Sequence, residues 1–256
     1  MCRHLAHVGP EPVTLASLVA DPEHSLLVQS YAPADMRGGG TVNADGFGVG
    51  FWLRPGRARA RSATVYRRDQ PMWTDASFLD LVPAITATAV VAAVRSATVG
   101  MPISTAACAP FRAEVDGTDW LFSHNGVVRG WPGSMGPLAA ELDPVELLTL
   151  DSSTDSALLW ALVRRRLRQG KDPVDAVADV VARTLEVAPG SRLNLLLGDG
   201  EQIVATAVDH ALAVRDGPAG VTVASEPLDA DPSWTAVDDG SVVVVRDGTV
   251  AVDALV

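Results

Sequence analysis

The sequence predicts a layered α+β fold in which helices cover two antiparallel sheets. Short apolar runs dominate both ends of the chain, Asp-Gly dipeptides separate several of them, and three longer segments have helical patterns. Strands and helices alternating in this way are typical of proteins in which helices pack on sheets. The chain has 256 residues, 48% of them hydrophobic, and no repeat, composition break or long linker divides it. We therefore predict one domain spanning residues 1–256.

Seven apolar runs are predicted to be strands: Arg3 to Val8, Gly46 to Leu53, Val90 to Arg95, Trp120 to Ser123, Leu193 to Leu197, Ile203 to Val208 and Val242 to Val245. Two Asp-Gly dipeptides, at Asp199-Gly200 and Asp247-Gly248, follow such runs. This dipeptide tolerates the positive φ values of tight antiparallel turns. It therefore predicts hairpins at both places.

Three segments are predicted to be helices: Ala76 to Thr86, Asp155 to Arg168 and Pro173 to Glu186. Ser153 and Thr154 precede the second helix as candidate N-caps, and the third begins with a proline, which suits the first helical position. Glycine and proline predict loops at Gly38 to Gly40 and at Gly133 to Pro137.

The charge of the chain argues against several kinds of partner. A net charge of −11 would repel nucleic acids and anionic membranes. The arginine-rich stretch from Arg54 to Arg61 is a local exception, and we interpret it as a solvated loop. The chain has neither an apolar run of roughly 18 residues nor a signal-peptide pattern, so we expect a cytoplasmic protein without a membrane span.

The two cysteines, Cys2 and Cys108, differ in their expected roles. They are too few for a disulfide framework and lack zinc-ligand spacing, so no metal site is predicted. Cys108 lies in an apolar stretch, where an inert buried thiol is expected. Removal of Met1 would leave Cys2 with both a thiol and a free α-amine, whose reference pKa of about 8 suits a general base. By itself a cysteine at this position is more often simply buried at the start of a first strand.

The segment Ser123-His124-Asn125-Gly126 follows an apolar run. An amide side chain beside a glycine N–H can form a two-donor oxyanion hole. The alternative is an ordinary Asn-Gly turn. His124 is expected to be structural, because a free α-amine at Cys2 would make a histidine base unnecessary.

Two charged residues and a glycine-rich segment complete the candidates. Arg95 leaves an apolar strand for a polar turn ending at Gly100, where it could bind a carboxylate or cover the strand end in a surface ion pair. Asp155 could face a substrate ammonium or act as a helix cap. The segment from Asn43 to Gly50 precedes a strand rather than a helix, so we interpret its glycines as allowing close packing and not phosphate binding.

In their order along the chain, these segments resemble the class II glutamine amidotransferases. The resemblance extends over essentially the whole sequence and implies the four-layer αββα fold of N-terminal-nucleophile (Ntn) hydrolases. It implies that Cys2 is the nucleophile and that Asn125 and the Gly126 N–H form the oxyanion hole. It further implies that Arg95 and Thr98 bind the α-carboxylate of a γ-glutamyl substrate, that Asp155 binds its α-ammonium, and that no metal or organic cofactor is needed. The sequence departs from the family pattern at Val99, where a histidine is common.

The chain leaves no room for a fused synthase, so the resemblance implies a stand-alone hydrolase of a small γ-glutamyl compound with no obligatory synthase partner. The stretches Val28 to Pro33, Val94 to Pro102, Ala109 to Phe111 and Ala224 to Pro227 resemble the family members of ergothioneine biosynthesis. The leaving-group side of their substrate carries a trimethylammonium, for which Trp73 and Trp131 are the candidate aromatic contacts. Three alternatives stay open: a glutaminase subunit serving a separate synthase, a hydrolase of glutathione-like peptides, and an inactive binding module.

Overall fold

The computed structural model describes residues 2–35, 42–53 and 62–255. Met1, the loop predicted at Gly38 to Gly40 and the stretch from Arg54 to Arg61 lie outside the described residues.

The described residues form helices and strands in this order: β1 Arg3–Thr14, α1 Ala16–Val19, α2 Leu26–Gln29, β2 Phe47–Trp52, β3 Ala63–Arg68, α3 Ala76–Leu81, β4 Thr86–Val94, β5 Phe111–Val115, β6 Thr118–Val127, α4 Gly136–Ala139, α5 Pro144–Leu148, α6 Asp155–Arg168, α7 Pro173–Val187, β7 Arg192–Gly198, β8 Ile203–Ala207, β9 Ala213–Gly217, β10 Gly220–Ala224, β11 Thr235–Ala236, β12 Ser241–Arg246 and β13 Thr249–Ala254. Short 3₁₀ turns occur at Met72–Thr74, Thr105–Ala107 and Gly133–Met135.

The strands build two antiparallel sheets. The first has the strand order β11-β9-β10-β1-β4-β2-β3 and the second the order β13-β12-β8-β7-β6-β5. Strand β1 is central in the first sheet, where Leu5 pairs with Ala224 of β10 and with Ala92 of β4. Strand β6 lies between β5 and β7 in the second sheet. The two strands that carry the N-terminal and Asn-Gly motifs are therefore both interior.

The two sheets and the helices on their outer faces form four layers, and an apolar cluster lies between each neighbouring pair. Leu5, Phe47 and Phe78 belong to a cluster between the first sheet and α1 to α3. The middle cluster, which includes Ala6 and Leu121, lies between the sheets. A third cluster joins the second sheet to α6 and α7. Because neighbouring strand residues face opposite sides of a sheet, Leu5 packs toward the helices and Ala6 packs toward the other sheet. The predicted αββα arrangement is confirmed.

Several predicted elements are confirmed. Helix α6 has the predicted limits and begins after Thr154, whose side chain accepts a hydrogen bond from the Ala157 N–H at 3.2 Å. Helix α7 begins at the predicted proline and ends one residue later than expected. Asp247 and Gly248, with φ values of 52° and 72°, form the turn between β12 and β13. No described helix is long and apolar enough to cross a membrane.

One predicted helix was too long, and one predicted loop contains helical structure. The helix expected from Ala76 to Thr86 ends at Leu81, and Thr86 already belongs to β4. Pro83 explains the early end, since a proline has no N–H to donate the next helical hydrogen bond. The loop expected from Gly133 to Pro137 is instead a 3₁₀ turn followed by α4.

The Asn-Gly motif is not a turn. Strand β6 continues to Val127, with Asn125 opposite Asn194 and Gly126 opposite Leu193 of β7. The strand predicted to end at Ser123 was therefore too short. Pairing with β7 holds the motif in an extended conformation that the local sequence did not reveal.

Candidate active site

Cys2 lies at the beginning of β1, next to the end of β4. Arg3 pairs with Val94, so the antiparallel register places Cys2 beside Arg95. The Cys2 Sγ lies 3.8 Å from the backbone oxygen of Ser96. The residue is half-buried, so its thiol is not sealed in the core.

Strands β1 and β6 face each other across the gap between the sheets. His4 Nδ1 lies 3.1 Å from Ser123 Oγ, which joins the two sheets near the end of the gap. Residues two apart on a strand face the same side. Cys2 on β1 and Asn125 on β6 therefore face the same gap.

The Asn125 side chain is completely buried. Its Nδ2 donates to Ser225 Oγ at 3.0 Å. Its Oδ1 has no hydrogen-bond partner among the described residues. Ser225 in turn is hydrogen-bonded to the backbone of His4, so the Asn125 amide is connected to the strand that carries Cys2.

Position 126 accommodates only glycine. A Cβ atom there would overlap the backbone oxygen of Arg192 on β7 and come within 2.7 Å of His124 Nε2. Because the overlap is with backbone, a side chain could not be accepted without moving a strand. The glycine therefore allows β6 and β7 to approach closely beside Asn125.

His124 points away from Cys2, toward the helical layer. Its Nδ1 lies 3.0 Å from Ser156 Oγ, and its Nε2 lies 3.0 Å from the backbone oxygen of Arg192. A carbonyl oxygen only accepts, so Nε2 carries the proton and Nδ1 accepts from the serine hydroxyl. The residue ties β6 to α6 and to β7, in keeping with the expected structural role.

Arg95 has an unusual environment for an arginine. It is only 8% exposed, and its Nη1 has no hydrogen-bond partner among the described residues. No ion pair of Arg95 is found in the described part of the chain, so the surface-pair alternative finds no support there. A buried donor without a partner carries a desolvation cost, which an incoming carboxylate would remove.

The glycine-rich segment holds this region in place. Arg95 N donates to Gly46 O at 2.8 Å, and Asp45 Oδ2 accepts from the Ala97 N–H at 2.7 Å. Gly46 has φ = 131°, and a Cβ there would overlap the Cys108 sulfur. The interpretation of these glycines as close-packing residues is confirmed.

Cys108 is a buried thiol near the candidate nucleophile. Burial raises its pKa to about 11, although the nearby positive charge of Arg95 opposes the shift. Its sulfur lies 3.3 Å from Arg68 O and 3.4 Å from Ser104 O. Cys108 is therefore a neutral packing residue at ordinary pH.

Thr98 and Asp155 lie on different elements, the turn after β4 and the first turn of α6. Thr98 is exposed on the turn after β4, where it lines a cleft of about 560 Å³ together with Val128, Trp131 and Ser153. Asp155 is buried at the first turn of α6. Its Oδ2 accepts from the Val128 N–H at 3.0 Å and its Oδ1 from the Ser156 N–H at 2.7 Å.

These contacts bear on the two roles considered for Asp155, a helix cap and a partner of a substrate ammonium. Thr154, and not Asp155, supplies the N-cap of α6. Asp155 connects that helix to the chain just after Gly126, and a carboxylate has lone pairs left for a further donor. Val99, the departure from the family pattern, is fully exposed at the edge of the same cleft.

The site also contains residues that the sequence reasoning missed. Ser225 and Glu226 follow β10. In the sequence they belong only to the stretch Ala224 to Pro227, which contributes to the family resemblance. Glu226 accepts hydrogen bonds from Arg3 Nε at 2.5 Å, His24 Nε2 at 2.6 Å and the Ala34 N–H at 2.8 Å. Burial would raise the pKa of Glu226, but these donors lower it below its ordinary value.

Arg3 links the Glu226 carboxylate to the backbone of Cys2. Its Nη1 donates to the backbone oxygen of Cys2 at 2.9 Å, and its Nη2 donates to Asp35 O. The Arg3–Glu226 pair is almost wholly buried. The sequence carries no signal for this pair, since Arg3 and Glu226 lie 223 residues apart in the chain.

Comparison with known proteins identifies the family. Residues 14–220 match the family described as glutamine amidotransferases class-II. The chain belongs to the class-II glutamine amidotransferases. The matched range leaves out Cys2, but a γ-glutamyl-hercynylcysteine sulfoxide hydrolase from Mycolicibacterium smegmatis is 43% identical over 256 residues, which is 100% of both chains.

Solved structures show the fold of this class-II amidotransferase. A glutamine aminotransferase class-II domain protein from Silicibacter pomeroyi superposes with a TM-score of 0.67 at 22% identity and covers 100% of both chains. A glutamine phosphoribosylpyrophosphate amidotransferase from Bacillus subtilis has a TM-score of 0.69 at 13% identity. This chain is covered completely in that comparison, but only 49% of the longer protein is.

Proposed function

We propose that this class-II amidotransferase is an amidohydrolase that cleaves γ-glutamyl amides with Cys2 as its nucleophile. The observation that carries the proposal is the buried Arg95 guanidinium beside Cys2, with its Nη1 lacking a partner among the described residues. A guanidinium binds a carboxylate through two parallel hydrogen bonds. The α-carboxylate of a γ-glutamyl group supplies such a partner and would hold its γ-carbonyl near the thiol.

The proposed chemistry needs no group beyond the chain and water. Once Met1 is removed, the Cys2 amine takes the thiol proton as the sulfur attacks the γ-carbonyl, and returns it to the leaving amine as the C–N bond breaks. The product is a γ-glutamyl thioester. Water then attacks this thioester, the C–S bond breaks, and the proton of water passes through the amine back to sulfur.

The remaining residues would act on charge that develops or is already present. Asn125 Nδ2 and the Gly126 N–H would stabilise the oxyanion of both tetrahedral intermediates. Thr98 would assist Arg95 at the α-carboxylate, and Asp155 would accept hydrogen bonds from the α-ammonium. Burial above all lowers the pKa of His4 to about 3, which makes its imidazole a weak base and favours the α-amine of Cys2.

Arg95→Lys tests the observation on which the proposal rests. We expect a loss of kcat/KM of at least about 100-fold, since an ammonium cannot reproduce the planar two-bond contact. Arg246→Lys, an exposed arginine with an ion pair to Asp172, is the matched control and should leave kcat/KM unchanged. Near-normal kcat/KM in Arg95→Lys would remove the residue from the substrate site.

For the substrate itself, we propose γ-glutamyl-hercynylcysteine S-oxide, which would give glutamate and hercynylcysteine S-oxide. The relative that is 43% identical over its full length is named for this hydrolysis. The decisive measurement is kcat/KM for the sulfoxide, glutathione and glutamine under identical conditions. Either glutathione or glutamine as the best substrate by more than about tenfold, near 1.4 kcal/mol, would overturn this substrate and leave the Cys2 mechanism standing.

The leaving group would need contacts that glutamine does not use. Trp131 lines the cleft that contains Thr98. Trp73 is 37% exposed and packs edge-on against Tyr31, with 5.8 Å between ring centroids. A third tryptophan, Trp234, lines a cleft of about 1010 Å³ beside Ser225. Leucine variants of the three would show which one lowers kcat/KM for the trimethylammonium substrate while sparing glutamine, by the few-fold expected of a cation–π contact.

We further propose that the enzyme works alone in the cytoplasm, without an organic cofactor, a metal or a synthase partner. The purified chain should then hydrolyse the sulfoxide at full rate. Activity that appears only after a separate synthase is added would favour the glutaminase-subunit alternative.

A further inference from the structure

Ser225 occupies the point where three structural elements of the proposed site meet. It follows the last residue of β10, and its N–H donates to His4 O at 2.9 Å, continuing the pairing of β10 with β1. Its side chain is buried and points into the gap between the sheets, where it meets Asn125 of β6.

All the hydrogen-bonding capacity of the Ser225 hydroxyl is used. A hydroxyl has one donor and two acceptor lone pairs. Ser225 Oγ accepts from the His4 N–H at 3.0 Å and from Asn125 Nδ2 at 3.0 Å. It lies 3.2 Å from His4 O, to which it donates.

This arrangement determines which end of the Asn125 amide faces the nucleophile strand. The amide has two N–H donors on Nδ2 and an acceptor at Oδ1. One N–H is held by Ser225, so rotation of the side chain would break that bond inside a buried environment. The second N–H stays available for a carbonyl oxygen that becomes negative during attack by Cys2.

The residue that follows Ser225 is also held in place by hydrogen bonds. The next residue, Glu226, is held by three donors, and one of them, Arg3, also donates to the Cys2 carbonyl. The two consecutive residues Ser225 and Glu226 therefore contact, respectively, the oxyanion donor and the arginine that holds the nucleophile's backbone.

We infer that Ser225 is a positioning residue that aligns the Asn125 amide for oxyanion stabilisation. The inference rests on the function proposed above. Ser225 touches no reacting atom, so its effect on catalysis must pass through Asn125. It should appear in kcat and leave KM nearly unchanged, because the oxyanion forms only in the transition state.

A double-mutant cycle tests this dependence. We expect Ser225→Ala to lower kcat by about 10- to 100-fold, as misplaced catalytic groups do, with KM within about threefold of the wild type. In an Asn125→Ala background the same substitution should lower kcat by less than about twofold, since no amide is left to align. Ser225→Thr, which keeps the hydroxyl, should recover at least part of the lost kcat.

Ser233→Ala is the matched control. Its hydroxyl bonds only Asp231 in an exposed loop, so its removal should change neither kcat nor KM. Circular dichroism and a melting curve establish that each variant is folded. If Ser225→Ala lowered kcat equally in both backgrounds, or acted on KM instead, the residue would be merely structural and the inference wrong. If Asn125→Ala itself kept normal kcat, the proposed function would fail first.

Discussion

The gap between the two sheets contains two regions of opposite character, built by the same strands. Ala6 of β1 and Leu121 of β6 belong to an apolar cluster with Leu196 and Val243. Nearer the Cys2 end of the same strands, His4 meets Ser123 and Asn125 meets Ser225. A shift of a few residues along β1 and β6 thus separates a packed core from a hydrogen-bonded site.

The apolar region is closely packed, whereas the polar region contains buried polar atoms without hydrogen-bond partners among the described residues. In the apolar region the sheets approach so closely that a Cβ on Gly50 would overlap Leu121. In the polar region three buried atoms, His4 Nε2, Asn125 Oδ1 and Arg95 Nη1, have no hydrogen-bond partner among the described residues. Such atoms cost stability, which is expected where a substrate supplies the missing partner.

The largest expected effect separates the two cysteines. Cys2→Ala should abolish turnover while the fold and substrate binding persist, because the proposed mechanism requires the thiol for the covalent intermediate. Cys108→Ala should retain turnover, because that thiol is neutral and only packs. Steady-state assays check both, and intact-mass measurement should show active protein beginning at Cys2. Turnover by Cys2→Ala, or active protein that quantitatively keeps Met1, would contradict the mechanism.

The next effect concerns the oxyanion donor in the polar region. Asn125→Ala should lower kcat by about 100- to 1000-fold, equivalent to about 3–4 kcal/mol of transition-state stabilisation. Its free energy of unfolding should change much less, since the side chain already leaves Oδ1 unpaired. Urea unfolding beside kinetics checks this, and a loss of stability as large as the loss of activity would make Asn125 a core residue.

Leu121→Ala should show the reverse pattern in the apolar region. Removing a fully buried leucine side chain lowers the free energy of unfolding by about 2–5 kcal/mol, because a cavity remains between the sheets. At a temperature where the variant is folded, kcat should remain within a few-fold of the wild type. Equal damage to kcat would show that the two regions do not act separately.

The smallest effect is a pH dependence of stability at His4. Burial above all, with the nearby His124, lowers its pKa to about 3, so the folded protein keeps it neutral while the unfolded chain binds a proton below about 6.5. The free energy of unfolding that neutral His4 contributes is present above pH 6.5 and is lost as the pH falls toward 3. Between pH 7 and 5.5 the loss is about 1 kcal/mol.

His4→Gln should remove this part of the pH dependence. Urea unfolding of both proteins at pH 7 and pH 5.5 measures it, and the other titrating groups cancel in the comparison. An equal loss of stability in both proteins would mean that His4 does not resist protonation.

Much of the local structure could be predicted, and the reasons are local. Helix α6 has the expected limits because Thr154 caps it and its apolar residues repeat with the helical period. The helix predicted over Ala76 to Thr86 was too long because Pro83 has no N–H with which to continue the helical hydrogen bonds. The Asn-Gly motif favoured either a turn or a site, and only its pairing with β7 put it in a strand.

By itself the sequence determined that helices cover two antiparallel sheets, since this depends on periodicity, and its motifs, taken in order, predicted the family and its αββα layering. The roles of Cys2, Arg95, Thr98, Asn125, Gly126 and Asp155 and the single-domain organisation remain predictions. Only the tertiary structure assigned work to Ser225 and Glu226, a hundred residues or more from their partners. Hydrogen bonds between residues so far apart in the chain leave no periodic signal, so the fold must first bring their strands together.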